Sequence, residues 1–323
     1  MKLFSGCALF VACTTVNQVA VAQAPFPAKP IRLIAPSSAG GPVDVIARIV
    51  AQGWSEVLGE QIVVDNRAGA AGMIGAEMVA KAAPDGYTLL LGFSGPLVIV
   101  PQINTATPYD VMKDFAPISL AASAPYVLLV HPSVPAKSVK ELVALAKAQP
   151  GQLNYASGST GSSPHLAAEL FKALAHVNIV RISYRGNALA YADVLRGEVP
   201  LIFPTAASVA PHLKSGRLRA LAVTTKERSR LFPALPTVAE SGVPGYESAT
   251  LVGVFVPAGT PAAIVTRLSQ EIAAVLKLPE VQERFLNTGV EPVGSSPEEF
   301  GALVKSEMSR LGPMIKAAGI RDE

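Results

Sequence analysis

From Ile31 onward, short apolar strand-like runs alternate with segments of helical periodicity, and this alternation limits the chain's folds more than any other feature. Strand, amphipathic helix and strand in succession bury their apolar faces as a parallel sheet with crossover helices packed on it. Ile31 to Ala35 reads as a strand, Val43 to Leu58 as a helix stopped by Gly59, and Gln61 to Asp65 as the next strand. Ile74 to Ala83 is a helix stopped by Pro84-Asp85-Gly86, and Thr88 to Leu91 a third strand. The β-rich run Tyr126 to His131 leads into a second series, in which Ser138 caps a helix through Gln149. Strands at Asn154 to Ser157, Ile179 to Ser183, Val199 to Phe203 and Leu218 to Thr224 follow, with helices at His165 to Ala175 and Asn187 to Arg196. Leu251 to Pro257 is another apolar strand, and Pro261 opens a helix to about Leu276.

A chain of 323 residues is long for one core and suits two lobes. The last helices have no sheet of their own beyond Glu291 to Val293, so they are expected to pack on the first lobe. That divides the chain into a first lobe of residues 25–126 plus 253–323 and a second of residues 127–252, with the cleft between them as the default ligand site.

Residues 1–24 read as a signal peptide: Lys2 is their only charge, an apolar stretch runs from Leu3 to about Val16, and Ala22-Gln23-Ala24 offers a small-x-small cleavage pattern. The stretch is too short for a membrane span and is interrupted by Asn17 and Gln18. Export to the periplasm with cleavage near Ala24 is the expectation. Phe10-Val11-Ala12-Cys13 is a weak match to a lipoprotein signal, lacking the usual leucine, and leaves lipid attachment at Cys13 as the alternative. Both cysteines, Cys7 and Cys13, lie in this segment, so the mature chain would hold no disulfide, thiol nucleophile or zinc-thiolate site.

Charge excludes another class. With 27 basic against 24 acidic residues and no Lys/Arg cluster, nothing supports nucleic-acid binding. Nucleotide cofactors are excluded by motif: no P-loop ending is present, and Gly69-Ala-Ala-Gly72-Met-Ile-Gly75 has the wrong spacing for GxGxxG. No GxSxG elbow occurs, and His131, His165, His176 and His212 are scattered without a metal-binding i, i+4 pair. The chain is therefore read as no enzyme, with no cofactor and no metal. His165 alone lies at a candidate site, where a capping or packing role outweighs a catalytic one because no nucleophile partners it.

Two loops could hold an anion. Ser37-Ser38-Ala39-Gly40-Gly41 follows a strand and precedes a helix opened by Pro42, and Ser157-Gly158-Ser159-Thr160-Gly161-Ser162 repeats the arrangement before His165. Glycines let a ligand approach the backbone, and N–H groups at a helix start attract negative charge. Each loop taken alone also fits an ordinary strand-to-helix turn.

These landmarks fall into one pattern. Lys29-Pro30-Ile31-Arg32, Gly40-Gly41 with Asp44, Ala83-Pro84-Asp85-Gly86-Tyr87, Lys113-Asp114-Phe115-Ala116-Pro117, His131-Pro132, Tyr184-Arg185-Gly186, Pro236-Thr237-Val238-Ala239-Glu240-Ser241-Gly242 and Pro257-Ala258-Gly259-Thr260-Pro261 occur in order along the mature chain. In these the chain resembles the Bug family, the extracytoplasmic receptors of tripartite tricarboxylate transporters. The resemblance implies a two-lobed α/β periplasmic-binding-protein fold, type II-like, acting as a monomer with a small carboxylate or amino-acid ligand and membrane transporter components as partners. A sensor that passes its liganded form to a signalling protein would use the same cleft and stays open as the alternative. By position, the resemblance implies ligand contacts from Ser37, Ser38, Ala39, Gly40 and Gly41, from Phe93 and Ser94, and from Ser157, Ser159, Thr160, Gly161, Ser162 and His165. Tyr184 and Thr205 are weaker candidates. The pattern departs from the family at Ser37-Ser38-Ala39, where a proline-rich turn is usual, at Pro204-Thr205, where an acidic residue usually follows Phe203, and at Leu251-Val252, where a Trp is common. The missing acidic residue disfavours a ligand bearing an amino group.

Overall fold

The computed structural model describes residues 26–158, 160–184 and 186–321, so the expected signal peptide, Cys13 and Ser159 lie outside the described residues. β1 (Ile31–Ala35) leads into α1 (Pro42–Leu58), which has Pro42 in its first turn and ends at Gly59 with a left-handed φ of 70°. β2 (Ile62–Asn66), α2 (Met73–Ala80) and β3 (Thr88–Phe93) follow, then the short helices α3 (Val100–Ile103) and α4 (Val111–Asp114) and the long β4 (Phe115–Pro125). The second series comprises β5 (Val127–Val130), α5 (Val139–Ala148), β6 (Asn154–Ser157), α6 (Ser163–Ala175), β7 (Val180–Ser183), α7 (Asn187–Arg196), β8 (Leu201–Ile202), α8 (Ala206–Lys214) and β9 (Arg219–Val223). The chain returns through β10 (Ala249–Pro257) and finishes with α9 (Ala262–Val275), α10 (Pro279–Asn287), β11 (Glu291–Pro292) and α11 (Pro297–Ala317).

The strands form two sheets, one in the order β11-β4-β10-β3-β1-β2 and the other β7-β6-β8-β5-β9. Neither is purely parallel, as the alternation suggested. β1 runs parallel to β2 and β3, but β10 runs antiparallel to β3 and β4. In the second sheet β6 is parallel to β7 and β8, whereas β5 is antiparallel to β8 and β9. The physical reason is the double crossing: β10 re-enters the first sheet beside the strand by which the chain left, running in the opposite direction.

Both faces of the first sheet are covered. On β1, Leu33 packs with Trp54, Leu268, Ile272 and Phe285 from α1, α9 and α10, while the next residue, Ile34, packs with Phe255, Phe300 and Val304 on the α11 side. This explains the apolar run Leu33-Ile34-Ala35 that follows the exposed Arg32 in β1, because a strand stretch buried on both faces has no solvent side to alternate with. The C-terminal helices thus pack on the first sheet. α11 is set by a capping box in which Ser296 and Glu299 satisfy each other's backbone N–H groups. The second sheet is sandwiched in the same way, by Tyr155, Phe171 and Phe203 on one face and Ala156, Val194 and Ile202 on the other. Leu166 of α6 belongs to the α11-side core of the first sheet, which places the start of α6 where the two halves meet.

Candidate ligand-binding site

A cavity of about 430 Å³ opens at the carboxyl ends of β6 and β8, lined by Ala156, Ser157, Ile202, Phe203 and Pro204, by Pro164 of α6, Tyr191 of α7, and Thr205, Ser208 and His212 at α8. In α/β sheets this is where ligands sit, because helices leaving the strand ends direct their free N–H groups there. Neither α6 nor α8 has a side-chain N-cap, so the Ser163 and His165 amides of α6 and the Ala206 and Ala207 amides of α8 have no side-chain acceptor beside the cavity, while Ser208 N–H donates to the Thr205 carbonyl. Among the described residues, no Lys or Arg lines the cavity. The rings of Tyr191 and His212 meet edge to face with centroids 5.0 Å apart. The Tyr191 hydroxyl is buried without a partner, and burial pushes its pKa up to about 12, which keeps it a neutral donor.

The β6–α6 loop is held from behind by Arg181 on β7. Its Nε donates to Ser157 Oγ at 2.7 Å, one Nη to Thr160 Oγ1 at 3.0 Å and the other to the Gly158 carbonyl at 2.7 Å. Further along, Gly161 N–H donates to Nδ1 of the buried His165 at 3.1 Å, which assigns the ring proton to Nε2. Burial, helped by the nearby Arg181 charge, lowers the His165 pKa to about 4, so the ring stays neutral and acts as an acceptor within the loop. Gly161 has φ +73°, and a side chain there would meet Ile103 at 3.3 Å. The Ser162 hydroxyl is buried without a partner.

The first loop is organised differently. Asp44, 2% exposed, accepts from Gly40 N–H at 2.8 Å, from Arg48 Nε at 3.0 Å and from Asn66 Nδ2 at 3.0 Å. Burial alone would raise its pKa, but these hydrogen bonds outweigh burial and hold it below the usual carboxylate range. Gly41 N–H donates to the Ser38 carbonyl and Ser37 N–H to that of Ala35. The Gly40 and Gly41 amides are therefore engaged within the loop. Among the described residues, the Ser38 and Ala39 amides are the ones in this loop with no protein acceptor. Ser37 Oγ is buried and unpartnered.

The sequence-derived set is thus divided between the two halves. Ser157 and Thr205 line the cavity, and Thr160, Gly161, Ser162 and His165 form its adjoining loop. Tyr184 stands beside that loop, its N–H on the Ser157 carbonyl and its hydroxyl donating to Asp193 at 2.7 Å. Phe93 and Ser94 border a small recess in the first half, where Ser94 Oγ accepts the Leu251 N–H at 2.9 Å. Ser37 to Gly41 lie in the first half and do not line the cavity. Sequence reasoning did not single out Arg181, Tyr191, Ser208 or His212. Recognising α8 between Phe203 and Leu218 would have brought Ser208 and His212 to the same wall.

Two mixed sheets joined by two crossings, with a cavity at the strand ends of the second, define the two-lobed α/β fold of periplasmic solute-binding proteins. The chain belongs to the tripartite tricarboxylate transporter receptor family, TctC, whose profile matches residues 46–320. It is a receptor of that family and not an enzyme. It is 37% identical to the protein BugT of Bordetella pertussis over 92% of this chain and 91% of that one. It is similar to the solved structure of R. palustris Rpa4515 with adipate, at 38% identity and a TM-score of 0.74, covering 92% of this chain and 99% of the other. MatC from Rhodopseudomonas palustris with bound malate is 29% identical, with a TM-score of 0.70 over 90% of this chain and 100% of the other.

Proposed function

We propose that this chain is a periplasmic receptor that captures a small aliphatic carboxylate and delivers it to the membrane components of a tripartite tricarboxylate-type transporter. The observation that carries the reading is the cavity itself: the N-termini of α6 and α8, without side-chain caps, and the hydroxyls of Ser157, Thr205 and Ser208 surround a space that no Lys or Arg lines among the described residues. Such a site neutralises a carboxylate with fixed backbone dipoles, while Ala156, Pro164, Ile202 and Phe203 accept an aliphatic stem. Similar proteins that hold adipate and malate support a ligand with two acid groups. Among the described residues no acidic side chain lines the cavity, which argues against an amino group. The mature form is expected to begin near Pro25.

The test is a thermal-shift screen of the mature protein against mono-, di- and tricarboxylates and amino acids, followed by calorimetry. A ligand at a hundredfold its Kd should stabilise the fold by about 2.7 kcal/mol. Dicarboxylates are expected to lead; an amino acid binding more tightly than any of the acids would refute the reading.

A further inference from the structure

We propose that Arg181 sets the hydrogen-bond polarity of the β6–α6 loop, biasing the Ser157 and Thr160 hydroxyls toward donation and so selecting ligands that only accept. The inference rests on the carboxylate-receptor reading and names the residue that gives this site its preference. Arg181 does not line the cavity; Ser157 does. A serine hydroxyl has one proton and two lone pairs. With a guanidinium N–H fixed on Ser157 Oγ at 2.7 Å, one lone pair is occupied, the O–H bond is polarised, and the proton is left for a group in the cavity. Thr160 Oγ1 receives the same treatment from an Nη at 3.0 Å, and the other Nη occupies the Gly158 carbonyl, which could otherwise accept from a ligand. One cation thereby blocks three acceptors of the loop without touching the ligand. A carboxylate, acceptor-only when ionised, suits such a loop; an ammonium or amide N–H finds fewer free lone pairs there. The planar fork is required, because a lysine ammonium in the same place would not span three acceptors in fixed directions.

Arg181 is accordingly a positioning residue, and calorimetry with adipate, malate and the neutral isostere adipamide tests it. Arg181→Met should weaken whichever diacid the wild type binds by roughly ten- to hundredfold and narrow its preference over adipamide. Ser157→Ala combined with Arg181→Met should cost less than the sum of the two single losses, since part of the cation's effect passes through that hydroxyl. Arg181→Lys should restore only part of the loss. The proposal is overturned if folded Arg181→Met binds the diacid like the wild type, if the two substitutions add fully, or if lysine restores everything, which would reduce the effect to bare charge. If the wild type binds neither diacid, the ligand reading fails on its own, and a sulfate titration followed at the Gly158, Thr160 and Gly161 amides decides this one. Shifts seen in the wild type and lost in Arg181→Met support it; equal shifts, or none, overturn it.

Discussion

Protonating His165 should dismantle the β6–α6 loop, and the pH at which this happens follows from where the ring sits. The side chain is 4% exposed, and its Nδ1 accepts the Gly161 N–H, a bond that an imidazolium cannot accept. Burial first, then the Arg181 and Lys172 charges, push the pKa from 6.5 to about 4, with Glu169 opposing them. The unfolded chain takes up this proton near 6.5 and the folded chain only near 4, so between these values the unfolded state holds more protons and stability falls as the pH is lowered. The contribution is fully present above the unfolded value and is lost progressively down to the folded one, in all roughly 3 kcal/mol. Urea unfolding of the wild type and of His165→Asn at neutral pH and at about pH 4.5 isolates the effect, because asparagine can still accept the Gly161 N–H but does not titrate. The wild type should lose about 2–3 kcal/mol more than the variant across that interval. Equal losses, or a His165 ring signal titrating near 6.5 in the folded protein, would refute the argument.

Two further substitutions probe the frame around the site. Asp44→Ala removes the acceptor of three hydrogen bonds and should cost about 1–3 kcal/mol by chemical denaturation. Because the Asp44 pKa is lowered, this stabilisation is present above the ordinary carboxylate range and disappears as pH falls through the depressed value, so wild type and variant should converge in acid. Gly253→Ala would drive a methyl group into the Phe300 ring and within 2.8 Å of the Ser119 carbonyl; a loss of about 1–3 kcal/mol is expected, and a neutral effect on melting would contradict the packing.

Much of the frame could be read from local chemistry. Gly59 ends α1 in the left-handed conformation, Ser138 accepts the Glu141 N–H to start α5, and β1 carries the apolar run Leu33-Ile34-Ala35 of a doubly covered strand. What escaped had no local signal. β4 is Phe-Ala-Pro-Ile-Ser-Leu-Ala-Ala-Ser-Ala-Pro, small residues and prolines without a period of two, and it becomes a strand because β10 and β11 pair with its two edges. α8 contains Pro211, a residue that normally closes a helical reading. At the site, the strand-to-helix loops were visible from glycine and hydroxyl content, but Arg181 lies 24 positions from Ser157. It reaches that loop only because β7 pairs in parallel with β6, placing Arg181 opposite Tyr155. No spacing rule along the chain carries that pairing. Nor did the Gly40-Gly41 pattern reveal that Asp44 and Ser38 already engage those amides.

The same pairing logic places the hinge chemistry next to the ligand chemistry. Tyr126 is the single residue between β4 of one sheet and β5 of the other. Its N–H donates to Thr224 Oγ1 at 2.9 Å, and that hydroxyl returns its proton to the Tyr126 carbonyl at 3.0 Å. Its backbone also bridges to Thr205 at the cavity wall, and the following Val127 N–H donates to the Pro204 carbonyl at 3.0 Å. The Tyr126 hydroxyl contacts Thr250 at the start of β10 and Ser163 at the start of α6. A residue fully buried between the halves is thus bonded to both crossings and to two elements that shape the cavity. A rotation of one sheet relative to the other would strain the bonds around Tyr126, and a ligand that orders Thr205 or the first turn of α6 would act on the same bonds, because the crossing residue pairs directly with a residue of the cavity wall.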